Sequence, residues 1–277
     1  YVLGIESKYT ASPLILGGAF HEGKASFYLT GDKEKALEVC TTHIKKAQVE
    51  FYKEEDFAKV LTRCPIMLES WIDKHGYKDL ETFSIIDVEK FVEVPLPETN
   101  YRITMRFDAV LQYKSSGNYI LMETKSTQSS ISNMINQVSI GDQATTYLWG
   151  FKKVYPERSL LGMVYDVTYW PKTSVNQKLI QHKRGFTDLI IRTKRDFAEW
   201  ETGMNETISS ISSKVDRVLN HGESEFIFER DTYWCYSYFK PCEYKPICRG
   251  CTIAPANPPD GFKMRDFPLQ LTDECKE

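Results

Sequence analysis

The sequence predicts an α/β fold: helices first, a strand meander second, and mixed helix and strand after it. Three observations carry this expectation. From about residue 17 to residue 78, apolar residues recur at spacings of three and four, as they do along one face of a helix. Between residues 83 and 125 the period becomes that of strands, in runs bounded by the turn signals "PETN" and "SSGN". Residues 131–153 return to the helical period.

In chain order, "GGAFHEGKASFYL" opens the helical part, and Asp32 stands ahead of "KEKALEVC" as an N-cap. Its short carboxylate can accept from the free N–H groups of the first turn. "FSIIDVEKFVEVPL", "YRITMRFDAVLQY" and "NYILMETK" follow as three antiparallel strands, because the connections between them are short. "ISNMINQVSIGDQATTYLWGFKK" is a helix with a weak point at Gly141, since glycine disfavours a helix interior. "SLLGMVYDVTYW" is a further strand, and "KLIQHKRGFTDLIIR" is a pair of strands or one long bent strand. The stretch "TKRDFAEWETGMNETISSISSKVDRVLNHG" is a helix stopped by Gly222. Beyond residue 231 the chain is rich in Cys, Pro and aromatic residues, and residues 252–277 read as a Pro-rich extended tail.

Composition narrows the function classes. A chain of 277 residues, 42% hydrophobic and 26% charged, can bury a sizeable core. With Lys+Arg 35 against Asp+Glu 38 and a net charge of -3, the surface is not a positive coat, and a nucleic-acid contact would need a local basic groove. "KRGF", "RTKR" and "FKK", interleaved with Tyr and Trp, are candidates for such a groove. No apolar run approaches the ~18 residues of a membrane-spanning helix. The chain opens on "YVLGIESKYT", without an initiator Met or a signal-peptide pattern, and reads as a fragment. Of its Cys 7, four fall within the 17 residues from Cys235 to Cys251. That clustering points to a metal or cluster site in a reducing, intracellular compartment, the cytoplasm. Cys40, Cys64 and Cys275 look incidental.

The stretch "RFDAVLQYKSSGNYILMETKST" sets Asp108 near the end of one strand and Glu123 and Lys125 near the end of the next. Such charges, brought together without a purpose, would repel one another or waste desolvation energy. A divalent cation resolves the conflict, because Mg²⁺ and Mn²⁺ prefer carboxylate oxygens and can activate water and neutralise charge on a phosphate. Glu123 and Lys125, two apart on a strand, share a face, so the ammonium can reach the same phosphate. Thr124 points away and leaves its carbonyl as a further ligand.

"FDAV" followed by "ETK" is similar to the D…(D/E)xK pattern of the PD-(D/E)xK nucleases, with Phe107 in place of the proline of that name. "LGGAFHEG", around His21, resembles the N-terminal motif of the RecB-like branch. "DQATTYLWG" resembles its QxxxY motif, with Gln143 and Tyr147 one helical turn apart. The motifs stand in the family's order. The resemblance spans residues 1–251 and implies one RecB-like nuclease domain: a helical segment over 1–80, a restriction-endonuclease-like core with a mixed sheet flanked by helices over 81–192, a helix over 193–230 and a Cys cluster over 231–251. It implies a metal-dependent deoxyribonuclease of the iron–sulfur-type RecB and CRISPR-associated branch, with a phage among its sources. The expected activity is that of an exonuclease on DNA ends or single strands in recombination or repair.

Carried over residue by residue, the resemblance implies that His21, Asp108, Glu123 and the Thr124 carbonyl hold Mg²⁺ or Mn²⁺. Lys125 would orient the attacking water, and Gln143 and Tyr147 would position Lys125 or the scissile strand. Nucleases of this branch hold a [4Fe-4S] cluster on one upstream cysteine and three C-terminal ones. Here Cys235, Cys242 and Cys248 supply three, with a wider first interval than the family's, and the upstream ligand would fall before Tyr1. Cys251 could complete a four-cysteine site that would equally suit Zn²⁺. Two other classes stay open: a DNA-binding or scaffold protein with a degenerate site, and a zinc-stabilised interaction module. The intact His, Asp, Glu and Lys count against the first, and only the cysteines support the second.

Overall fold

The computed structural model describes residues 5–50, 53–128, 130–170, 180–184, 189–221, 236–237, 240–241 and 262–264. In chain order the first elements are β1 (Ile5–Ser7), α1 (Ser12–Thr30), α2 (Lys33–Lys46), α3 (Glu54–Trp71), a π-helical turn (Ile72–Gly76) and α4 (Tyr77–Thr82). The sheet follows with β2 (Phe83–Pro95), β3 (Arg102–Tyr113) and β4 (Tyr119–Thr127), then α5 (Ile131–Ile140) and α6 (Asp142–Val154). β5 (Leu160–Tyr169), β6 (Gln181–Arg184), α7 (Lys194–His221), β7 (Tyr236–Ser237), β8 (Lys240–Pro241) and β9 (Phe262–Met264) complete the order. The chain divides into two compact units, one of residues 12–49 and 53–213, the other of residues 1–11, 50–52 and 214–277. In the smaller unit β1 pairs antiparallel with β9, and β7 with β8.

The larger unit begins as its periodicity predicts. Asp32 caps α2 by accepting from the Lys35 N–H at 2.9 Å. The first three helices pack closely because Gly23 has no side chain: a Cβ there would collide with Leu68 and Cys40. Around it Phe20, Phe27, Ile44, Leu68 and Trp71 are wholly buried. Cys40 and Cys64 are free thiols facing each other across α2 and α3, with their sulfurs 3.3 Å apart.

The sheet has the order β2-β3-β4-β5-β6. β2, β3 and β4 form the expected antiparallel meander. β4 and β5 are parallel, and α5 and α6 supply the long crossover that such a pair needs. β6 returns antiparallel on the far edge, so the sheet is mixed and the fold is the α/β, restriction-endonuclease-like one expected. Val92, Met105, Phe107, Leu121, Leu148, Trp149, Met163 and Val167 form its main core with Trp200. Gly150 lets α6 lie against β3, since a Cβ there would strike Met105. Thr124 reaches Lys24 of α1 and Glu123 reaches Gln143 of α6. Successive strand residues point to opposite faces, so helices flank the sheet on both sides.

Two local expectations change. The helix over 131–153 is two helices, because Gly141 takes an extended backbone (φ -74, ψ 153) between α5 and α6. Of "KLIQHKRGFTDLIIR", β6 pairs with β5, and Ile190 bridges back to Met163 of the same strand. Residues 185–188 lie outside the described residues.

Candidate active site

Register places the carboxylates. The last paired residues of the β3–β4 hairpin are Ala109 and Met122, so one step further Asp108 stands opposite Glu123. Asp108 accepts from the Thr124 N–H at 2.7 Å through Oδ2, and His21 Nδ1 of α1 lies 3.3 Å from the same oxygen. On the other carboxylate, Glu123 Oε1 accepts from Lys125 Nζ at 2.7 Å and from Gln143 Nε2 at 2.8 Å. Tyr147, one turn along α6, meets Phe107 edge to face with centroids 5.5 Å apart. His21, Asp108, Glu123, Thr124, Lys125, Gln143 and Tyr147 are therefore brought to one corner of the sheet. Cys235, Cys242, Cys248 and Cys251 lie outside the described residues.

Glu89 is a member of this corner that the sequence reading missed. Donor atoms of His21, Glu89 and Asp108 lie within 4.8 Å of one another, a grouping able to hold a metal ion. Glu89 Oε1 is 3.7 Å from His21 Nδ1, and Oε2 accepts from Arg106 Nε at 2.9 Å. The Glu89 backbone has φ 48, a left-handed conformation that costs a residue with a side chain about 1–3 kcal/mol and collects at functional sites. A signal existed. Val88 pairs with Ala109 and Lys90 with Phe107, so counting back from the "PETN" turn sets Glu89 opposite Asp108.

The electrostatics fit a divalent cation. Burial works against a charge on His21, but contact with Asp108 and Glu89 outweighs it and raises the imidazole to about 9. Burial would also raise the Asp108 carboxyl, yet His21, the Thr124 N–H and Lys125 hold it below its ordinary value. Glu123 is pushed up to about 7, first by burial and then by the charge of Asp108, against the pull of Lys125. It sits apart from the three-residue grouping, and its Oε2 is buried without a hydrogen-bond partner among the described residues. Such an atom is costly unless something cationic meets it. Carboxylates with one imidazole suit Mg²⁺ and, better, Mn²⁺.

Beneath the site lies a buried ionic network. Lys24, one turn after His21, donates to Thr124 Oγ1 at 2.6 Å and to Asp166 Oδ2 at 2.8 Å. Trp71 Nε1 and Arg184 Nη2 donate to the same Asp166 oxygen at 2.7 and 3.0 Å, and Arg184 also pairs with Asp79. The network ties α1, which carries His21, to the strand residue between Glu123 and Lys125. It also removes Arg184 from the basic groove expected at "KRGF". Arg184 is buried in ion pairs, Arg192 is bound to Thr145 and to the Ser139 carbonyl, and Arg195 pairs with Glu199. A charge run in sequence carries no information about partners from distant elements, and here Asp79 and Asp166 take the charge of Arg184.

An α/β fold with an acidic corner, one histidine and one adjacent lysine suits a metal-dependent nuclease. Residues 1–249 match the PD-(D/E)XK nuclease superfamily, and the chain belongs to it. Members typically use divalent metals such as Mg²⁺ or Mn²⁺ and act on nucleic acid. Among solved structures 11 chains match. One, described as "Crystal structure of SSO0001", is 17% identical over 78% of this chain and 81% of its own, with a TM-score of 0.32. Among curated proteins none matches. No helix among the described residues is long and apolar enough to cross a membrane.

Proposed function

We propose that this chain is a DNA exonuclease that acts on free ends or single strands, in recombination or repair, with Mg²⁺ or Mn²⁺ at the corner described above. The observation that supports it best is the approach of His21 and Lys125 to two carboxylates that face each other across β3 and β4. His21, Asp108, Glu123 and the Thr124 carbonyl would hold the ion, with Glu89 joining them. The ion, when bound, supplies a Lewis acid that lowers the pKa of water and draws charge from the phosphate. Lys125 orients the attacking water, which gives up its proton to solvent as the new P–O bond forms, and donates to a phosphate oxygen, where negative charge grows. The bond to the leaving sugar oxygen breaks, and that oxygen takes a proton from solvent. Gln143 holds Glu123 in place, and Tyr147 and Gln143 border the path of the strand. A [4Fe-4S] or zinc site at the C-terminal cysteines would be structural and take no part in this chemistry.

The test is incubation with end-labelled single- and double-stranded DNA, in Mg²⁺, Mn²⁺ or EDTA. Release of label as short products from one end, abolished by EDTA and absent on closed circles, supports the reading. Cleavage of closed circles would make the enzyme an endonuclease, and no metal-dependent cleavage of any form would overturn the reading.

A further inference from the structure

An open groove of about 560 Å³ lies beside the carboxylates, walled by Phe91 and Arg106 from the sheet and by Gln143, Thr146 and Tyr147 from α6. Two of its residues touch the site itself: Gln143 donates to Glu123, and Arg106 to Glu89. Phe91 is unexplained by the fold. It is 59% exposed on the edge strand β2, while Val92 and Val94 beside it are 7% and 4% exposed and carry the core contact. Phe91 stands opposite Arg106 in the β2–β3 register, and the Arg106 side chain is 61% exposed. A solvent-facing aromatic ring and a solvent-facing guanidinium thus share one face, next to the candidate catalytic carboxylates.

We propose that Phe91 and Arg106 form a subsite for one unpaired nucleotide of the substrate strand, the base stacked on the Phe91 ring and its phosphate held by Arg106. The inference rests on the nuclease reading and goes further by naming the form of strand that is bound. An unpaired base has a free π-face to offer an aromatic ring, whereas a base inside a duplex is already stacked on its neighbours. The acidic corner alone would repel a phosphate backbone, and Arg106 supplies a cation at its rim, fixed by Glu89 and still open to solvent. The amide of Gln143, held by Glu123, and the hydroxyl of Thr146, held by the Asp142 carbonyl, line the groove with further polar groups.

The experiment measures binding of a fluorescein-labelled oligodeoxythymidylate and of a labelled duplex, with Ca²⁺ in place of Mg²⁺ to suppress cleavage. Phe91→Ala and Phe91→Leu should each weaken oligodeoxythymidylate binding about tenfold, the effect of losing one base–aromatic stack. Phe91→Trp and Phe91→Tyr should retain it, and duplex affinity should stay the same in all four variants. Arg106→Gln should lower the slope of log K against log salt concentration by about 0.7, one phosphate contact on a single strand. The subsite is overturned if Phe91→Ala binds within about twofold of wild type, if Phe91→Leu matches wild type, if duplex binding falls equally, or if Arg106→Gln leaves the salt slope unchanged. Hydrolysis of bis(p-nitrophenyl) phosphate by the wild-type chain with Mn²⁺ separates the two levels. Hydrolysis with unaltered binding in the Phe91 variants defeats the subsite alone. A wild-type chain that cleaves neither this diester nor DNA defeats the nuclease reading as well.

Discussion

Replacing Asp166 with Asn should be among the most destabilising single changes in this protein. Asp166 is 0% exposed, and its Oδ2 accepts from Lys24, Trp71 and Arg184 at 2.8, 2.7 and 3.0 Å. Asparagine keeps one acceptor oxygen but brings an amide into the place of Oδ1, where the described residues offer no partner. It also leaves the buried Lys24 ammonium without its counter-ion. Removing one partner of a buried pair costs about 3–5 kcal/mol, and at about 2–4 °C per kcal/mol the melting temperature should fall by roughly 10 °C. Burial would raise the Asp166 carboxyl, but the charges of Lys24 and Arg184 reverse this and hold it far below the ordinary range. Lys24, in turn, is lowered more by burial than Asp166 raises it. The direction at Asp166 governs the prediction, because three donors converge on one oxygen. A group so depressed contributes stability above its unfolded pKa of about 4 and loses it as pH falls towards the folded value. The Asn penalty should therefore be equal at about pH 6 and 8 and shrink below about pH 4. Adding Lys24→Met should recover part of the loss, because the stranded cation goes with it. Thermal and denaturant unfolding measure all of this. A loss under about 1 kcal/mol for Asp166→Asn, or no recovery in the double variant, would refute the reasoning.

Three shorter predictions concern the site and its surroundings. Mn²⁺ at about one hundred times its Kd should stabilise the protein by about 2.7 kcal/mol, and Asp108→Ala or Glu89→Ala should remove most of the melting shift; an unchanged shift in both would put the ion elsewhere. Lys125→Ala should lower kcat on end-labelled DNA by at least about 10²-fold with little change in melting temperature, since its ammonium is part-exposed and, among the described residues, bonds Glu123 alone. His182 is held down to about 3, chiefly by burial, while its ring nitrogens meet Ser70 and Thr168. Because the folded value lies below the unfolded 6.5, the unfolded state binds the extra proton. His182 thus draws stability down as pH falls from about 6.5 towards its folded value, by about 2 kcal/mol between pH 7 and 5. Denaturant unfolding of His182→Gln should show a flatter pH profile over that interval.

What the sequence by itself determined was local. Helix and strand periods, the Asp32 cap and the two short turns follow from interactions within a few residues, and they sufficed for the meander. The "SSGN" connection is short enough to force a hairpin, and hairpin register then brings Asp108 opposite Glu123. Alternation puts Lys125 beside Glu123, and one helical turn separates Gln143 from Tyr147, so the carboxylate pair, its lysine and the α6 pair were legible before any fold was known. His21 was legible only through a motif, since nothing local says that a histidine 87 residues before Asp108 will meet it. Tertiary structure alone decided the rest. The left-handed backbone at Glu89 is imposed by the surrounding sheet against the local preference of a glutamate. The burial of Arg184, which removed it from the expected basic groove, depends on Asp79 and Asp166, 105 and 18 residues away. Lys24 reads in sequence as a solvated helix charge, yet it is buried against Thr124 and Asp166 because the packing of α1 on the sheet leaves it no water. Periodicity reports which face of an element is buried, but the identity of the partner across that face is set when the elements dock.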